Sequence, residues 1–491
     1  MTAKLWLSHP YKTKKSAQTG RKAHIMADLN GALTPGAGRS RKTMTKDLTH
    51  GKPMSLILGF SIPLLFGMLF QQVYGLVDTI IVGKCIDADA LAAVGSTGSI
   101  NFLIIGFCIG ICSGFSIPVA QRFGAGDYAG MRKMVWNGAW LSLAFSVVMT
   151  VVVSLFCRQI LTLMRTPDDI FEQAYAYIFI IFLGIPVIYL YNMLSGIIRS
   201  LGDSKTPVIF LVLSSVLNIG LDLLFILVFD LNVAGAAYAT VISQLVSGVA
   251  CLIFMVRKFP ILRPESKHEL FYDAHCGKIL CNMGIPMGLQ YSITAIGSVI
   301  LQTAVNDLGT TAVAAVTAGN RIGNFLVCPF DALGSTMATY GGQNIGAKKT
   351  DRIREGLKAC TILGAAYSVI ALLFVFLFGK YLLLLFLHAE DTEIITMAYR
   401  FLCTNGLFYF PLALVNIVRF LIQGMGYSRF AMLAGVCEMA ARALVGFLIV
   451  PVFGFYAVGF ASPAAWIFAD LFLIPAFFHV YHRTQRLFSE S

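Results

Sequence analysis

Residues 61–83 read SIPLLFGMLFQQVYGLVDTIIVG, twenty-three positions with a single charge, Asp78. They belong to an apolar run that begins at Pro53 and meets its next charge only at Lys84. A bilayer span needs about 20 mostly apolar residues, and the chain holds many runs of this kind. Of its 491 residues, 57% are hydrophobic and 13% charged, where a soluble domain is about a quarter charged. The expectation is an all-α polytopic membrane protein. A β-barrel would show short alternating segments, and these runs are too long and too uniformly apolar for that.

Apolar runs between polar breaks predict twelve transmembrane helices, near 54–83, 90–121, 132–157, 171–199, 206–229, 233–257, 278–306, 312–343, 356–387, 392–421, 428–453 and 456–482. Lys and Arg then alternate by loop. The first 52 residues, the 122–133 loop, Arg199/Lys205, the 257–278 segment, the 344–358 loop, Arg419/Arg429 and Arg483/Arg486 hold 30 of the 37. Basic loops stay in the cytoplasm, which puts both termini inside. An even number of helices agrees independently.

The chain also repeats itself. SIPLLFG at Ser61 is echoed by GIPMGLQ at Gly284, which aligns Pro63 with Pro286. INFL at Ile100 is echoed by GNFL at Gly323, at the same offset. QRFGAG at Gln121 returns as QNIGAK at Gln343, and RSLGDSK around Gly202 as QGMGYSR around Gly426, each within one position of that offset. Four echoes at nearly one spacing mark a duplicated unit. Two six-helix bundles that enter the membrane the same way are related by a pseudo-two-fold axis along the membrane normal. The expected organisation is an N-lobe at 53–257, a polar cytoplasmic linker at 258–277 and a C-lobe at 278–485. Two lobes joined by one linker enclose a cleft that can open to either side, the geometry of a secondary transporter. No G-x4-GK[ST] phosphate loop occurs, which excludes direct powering by a P-loop ATPase domain in this chain.

The net charge of +12 does not describe a nucleic-acid face. Residues 1–52 hold 11 Lys and Arg against Asp28 and Asp47, and so carry +9 of it. That stretch is poor in apolar residues and reads as a disordered basic tail without the apolar core of a secretory peptide. Met44, ahead of TKDLTHGKP, looks like a more natural start. The 11 cysteines form no CxxC pair and read as buried free thiols. All eight histidines fall in tails, loops or segment ends, which argues against a buried zinc or di-iron centre. No cofactor and no metal are expected.

The polar residues inside the spans carry the chemistry. Gln71, Tyr74 and Asp78 share one stripe of the first helix, and Pro63, about four turns earlier, should kink or loosen it. The fifth span carries Ser214, Ser215, Asn218 and Asp222, and Thr240 adds a hydroxyl in the sixth. A carboxylate at membrane depth costs about 3 kcal/mol on insertion scales. Two in one lobe, on helices without a basic residue, point to capture of a monovalent cation, either a proton or Na⁺. The second lobe differs, since the repeat places Leu301 where the first lobe has Asp78. Glu438 and Arg442, at i and i+4 with the acid first, suit an ion pair or a role in substrate binding or coupling. Asp331 and Asp470 either neutralise Arg321 or Arg442 or line the cavity. Gly106, Gly110 and Gly114 form a face for close helix packing. The 38 Phe and 18 Met can supply a pliable apolar cavity.

SIPLLFGMLFQQVYGLVDTIIVG, AVTAGNRIGNFL, TYGGQNIGAKKTDRIREGLK and IIRSLGDSKTP together resemble the multidrug and toxic compound extrusion (MATE) family, in its prokaryotic DinF-like branch. The likeness runs from roughly Thr45 to Phe488. It implies a V-shaped fold of two bundles and export of organic cations or other amphipathic compounds, driven by inward H⁺ or Na⁺. The family's first-lobe cation site carries over onto Pro63 as a coupling hinge and onto Asp78, Asn218, Asp222 and Thr240. Gln71, Tyr74, Glu438 and Arg442 are candidates for the substrate cavity. Some members place coupling acids on the seventh and tenth helices. Here the seventh span has none before Asp307, and the tenth has Asn405 and Tyr409. The function expected is therefore a cation-coupled multidrug antiporter and not an enzyme. It would be a monomer in a bacterial inner membrane, with small molecules and lipids as partners. The alternative is a lipid-linked oligosaccharide or lipid-precursor flippase of the same superfamily, which tends to have a strongly cationic cleft.

Overall fold

The computed structural model describes residues 45–490, and among these there is no strand. Six helical passes make up the first half: α1 Pro53–Cys85, α2 Gly98–Gly124, α3 Tyr128–Leu155, α4 Phe171–Leu183 continued by Ile185–Ser200, α5 Lys205–Leu223 and α6 Asn232–Lys258. Six more follow: α7 Ala274–Asn306, α8 Thr310–Gly346, α9 Thr350–Leu383, α10 Thr392–Leu407 continued by Tyr409–Gly424, α11 Ser428–Leu444 and α12 Phe455–Ser489. Nine of these are long and apolar enough to cross a bilayer as single helices, and the two bent pairs raise that to eleven. The remaining pass, α8, has length to spare at 37 residues. Its glycines, amides, threonines, Arg321 and Asp331 dilute its apolar character.

The expected spans are recovered, with informative differences. α4 bends by 46° and α10 by 52°, at equivalent places in the two halves. Pro186 and Pro411 sit just after these breaks, and each lacks the amide hydrogen needed to continue the helix. The second span is entered through a separate short helix, Ala88–Ser96. Pro63 does not break α1, which runs on as one helix of 33 residues. Both α5 and α11 end in a single π-helical turn, Leu224–Val228 and Val445–Ile449, so the duplication extends to local irregularities.

The glycine face of α2 packs the two halves together. A methyl group at Gly110 would come within 2.7 Å of the Gly288 Cα, and one at Gly114 within 2.5 Å of the Gly284 Cα. α2 and α7 thus touch backbone to backbone, as small residues allow in membranes. At the end of the molecule bearing the basic loops, the pairing becomes symmetric. The Gln121 amide of α2 donates to the Gly424 carbonyl at 2.9 Å, and the Gln343 amide of α8 donates to the Ser200 carbonyl at 2.9 Å. These four residues are the duplicated QRFGAG/QNIGAK and RSLGDSK/QGMGYSR motifs. The repeats of the sequence therefore close this end upon each other.

Residues 1–44 of the expected basic tail lie outside the described residues. Residues 45–52 are not free chain but a strap across the closed end. Leu48 is 1% exposed; its amide donates to the Gln343 side chain at 2.8 Å, and its carbonyl accepts from Asn344 and Arg352 at 3.3 Å each. On the other side, the Lys46 amide donates to the Leu201 carbonyl at 3.0 Å. One apolar side chain with a seat, and a turn made by Asp47 accepting from the Thr49 amide at 2.7 Å, suffice to order it. The expected linker is also ordered. Arg132 of α3 grips Glu269 through two hydrogen bonds of 2.8 and 3.1 Å.

Candidate functional site

Between the halves lies a cavity of about 520 Å³, within the usual range for small-molecule sites. Its wall includes Gln71, Tyr74 and Asp78 from α1, Asn218 from α5 and Thr240 from α6. The stripe read from the first helix therefore faces the cleft as a unit. Asp222 lies just behind the wall and is 0% exposed, with Asn218 beside it at 2%. The Asn218 amide reaches the Thr240 hydroxyl at 3.5 Å.

Asp78 and Asp222 are electrostatic neighbours. Asp78 Oδ1, both oxygens of Asp222 and Asn218 Oδ1 are buried and have no hydrogen-bond donor among the described residues. A buried acceptor without a donor carries its full desolvation cost, so four such oxygens in one place suit a small cation as the shared partner. A proton between the carboxylates would engage one oxygen of each acid, and Na⁺ would draw on carboxylate and amide oxygens together. Tyr74 and Tyr177 stand within electrostatic reach of both acids. Tyr177 was not expected from the sequence, where it is one aromatic among many in an apolar run. Pro63 sits earlier in the same helix, toward its N-terminus from Asp78, and is not among the residues of the cavity wall.

A family model described as MatE matches residues 63–224 and, a second time, residues 286–448. The chain belongs to the MatE family. The double match repeats the duplication seen in sequence and fold. The probable multidrug resistance protein YoeA of Bacillus subtilis is 30% identical over 347 residues, 70% of this chain and 74% of that one. The multidrug export protein MepA of Staphylococcus aureus is 23% identical over 407 residues, 82% of this chain and 88% of that one. Among solved structures, a MATE in complex with MaL6 matches with a TM-score of 0.82 at 23% identity, covering 92% of this chain and all of that one. A multidrug resistance MATE family transporter of the MOP superfamily, in an outward-facing conformation, matches with a TM-score of 0.82 at 22% identity and the same coverage. The fold of this MatE chain is thus two six-helix bundles.

The second bundle treats its charges differently. Glu438 pairs with Arg419 and also with Arg442, the latter at 3.5 Å. All three are under a tenth exposed, and none lines the cavity. Glu438 and Arg442 therefore form the expected ion pair, set into the bundle rather than its cleft. Asp331 and Asp470 face Arg419 electrostatically, not Arg321 as one expectation had it. Arg321 is exposed and lies ten residues before Asp331 on α8, about 15 Å along the axis. Arg419 looked like a loop charge because it ends an apolar run. In the fold it is 5% exposed, the hub of a buried network.

Arg199 is the other displaced charge. It counted toward the basic loops, yet the cavity wall includes it. A charge at membrane depth costs about 3 kcal/mol on insertion scales, while a partly buried position in the last turn of a helix returns about 2 kcal/mol at most. Neither Tyr177 nor Arg199 could be found from one-helix periodicity, because each meets the site through tertiary packing.

Proposed function

We propose that this MatE chain is a cation-coupled multidrug exporter working by alternating access. The observation that carries the reading is a pair of adjacent acids without a basic partner among the described residues, Asp78 in the wall of a drug-sized cleft and Asp222 buried just behind it. The names of the relatives, probable multidrug resistance protein and multidrug export protein, support the same reading. Capture of H⁺ or Na⁺ by Asp78, Asp222 and Asn218, with Thr240 alongside, neutralises one side of the cleft and lowers its hold on a cationic substrate. Release to the opposite side restores it. Substrate and ion are coupled because each weakens the other's binding. A membrane potential adds about 2.3 kcal/mol per charge per 100 mV, so one or two ions sustain a useful gradient. Pro63, which deprives α1 of one backbone hydrogen bond, is the place where that helix can yield.

In this reading the lobes are 53–257 and 278–485, joined by 258–277. The basic end, closed by Gln121, Gln343 and the strap, faces the cytoplasm with both termini, in the inner membrane of a bacterium. One chain holds a whole cleft and acts as a monomer on amphipathic or cationic small molecules. The flippase alternative is not favoured, since Arg199 is the one basic residue of the cavity wall and the relatives are named for drug resistance. The test is accumulation of ethidium by cells expressing the wild type or Asp78→Asn. The wild type should lower accumulation and the variant should not. Equal accumulation in wild-type and empty cells would remove this reading for cationic dyes.

A further inference from the structure

The cleft has a second charged pole that ion coupling does not use. Arg199 lies at its sealed end, one residue before the carbonyl held by Gln343. Asp78 stands near the far end of α1, well away from Pro53 and the sealed end. The electrostatic neighbours of Arg199 are Tyr191, Tyr291 and Cys112, with no carboxylate among them. Tyr191 already donates its hydroxyl proton to the Pro207 carbonyl at 2.9 Å. Among the described residues Arg199 has no ion-pair partner, whereas each arginine of the second bundle's network sits beside Glu438.

The fold does not require a cation here. Gln423 is the counterpart of Arg199 in the second half, at the matching place of the RSLGDSK/QGMGYSR repeat. It is neutral, buried and hydrogen bonded to Gln290 at 2.5 Å. Topology does not require an inward-facing cation either, because exposed Lys205 supplies the basic loop charge six residues on. An unpaired guanidinium in a cleft is a fork of donors that matches two oxygens of a carboxylate or phosphate. Tyr291 of α7, in the other bundle, lines the same cavity and is one of the electrostatic neighbours of Arg199, so a bound oxyanion would sit at the seam the bundles share.

We propose that Arg199 is the specificity residue of this cleft for an oxyanion, carboxylate or phosphate, on the transported compound, so that its loss weakens acids and zwitterions selectively over cations. The proposal rests on the export reading of the same cleft and names a specificity determinant for it. The test is equilibrium binding by the purified full chain, followed by fluorescence anisotropy, with fluorescein as the carboxylate probe and ethidium as the fixed cation. Arg199→Gln installs what the second bundle carries at position 423, and Arg199→Lys keeps the charge without the fork. The fluorescein-to-ethidium affinity ratio should fall at least tenfold in Arg199→Gln and by less in Arg199→Lys. Benzoate and phenyl phosphate as competitors show which oxyanion is preferred. A ratio unchanged in both variants, or no fluorescein binding by the wild type, overturns the proposal. If the wild type binds fluorescein through Arg199 but moves neither dye across vesicles, the export reading fails while the anion site stands.

Discussion

Ser214 and Asn218 line the cleft on α5; Glu438 and Arg442 occupy the equivalent positions of the repeat, on the corresponding helix of the second bundle. The backbone is duplicated, down to the π-helical turn that follows each helix, but the electrostatics are not. In the first bundle two acids face each other without a cation, next to a cavity. In the second, the acids of α8, α11 and α12 surround Arg419 and lie away from the cavity. An uncompensated acid pair is poised to take up and release an ion, whereas a compensated network is held in place. Under the function proposed above, this difference puts ion coupling in the first bundle and rigidity in the second.

The sharpest way to break this comparison is to neutralise one acid on each side. Asp78→Asn should abolish gradient-driven dye efflux and leave the fold intact. Glu438→Gln should retain coupling in whatever protein folds. Thermal unfolding in detergent should rank the bundles the other way. Truncating Glu438 to Ala strands Arg442 and takes the nearest carboxylate from Arg419, a loss of about 3–5 kcal/mol for a broken buried pair, while Asp222→Asn removes a repulsion and should not lower the melting temperature. Replacing Arg419, Glu438 and Arg442 together by apolar residues of similar size should recover most of the stability lost by Glu438→Ala.

The seam offers the next effect. Gly114→Leu forces α2 away from Gly284 and should leave the basic end unable to close, read as faster labelling of a cysteine introduced at Ser200 from that side. Gln343→Ala removes donation to the Ser200 carbonyl and acceptance from the Leu48 amide, a loss of about 1–3 kcal/mol from the closed state. Gln121→Ala removes only the bond to Gly424 and should open the same end less. The smallest effect belongs to the exposed pair of Arg158 and Glu172, 3.0 Å apart. Glu172→Gln should change stability by under about 1 kcal/mol and by nothing measurable in high salt.

The twelve passes and their duplication were legible because a long apolar run, and an echo that recurs at one fixed offset, are carried by the chain itself. Asp78, Asn218, Asp222 and Thr240 were legible for a related reason, since carboxylates and amides stand out inside apolar helices. Arg199 and Arg419 were misread because a basic residue at the end of an apolar run looks the same whether it turns to solvent or inward. Tyr177 carries no signal of its own. The strap at 46–50 was hidden because its order comes from a seat made by Gln343, Asn344 and Arg352, in the other half of the chain. The bends of α4 and α10 had a local cause in Pro186 and Pro411, but an apolar run of sufficient length conceals a break.

The most direct measurement is dye transport in proteoliposomes of the wild type, Asp78→Asn and Glu438→Gln, with H⁺ and Na⁺ gradients imposed one at a time. The account predicts that one of the two gradients drives uphill transport by the wild type and by Glu438→Gln, and that neither drives it in Asp78→Asn. Uphill transport by Asp78→Asn at the wild-type rate would contradict it.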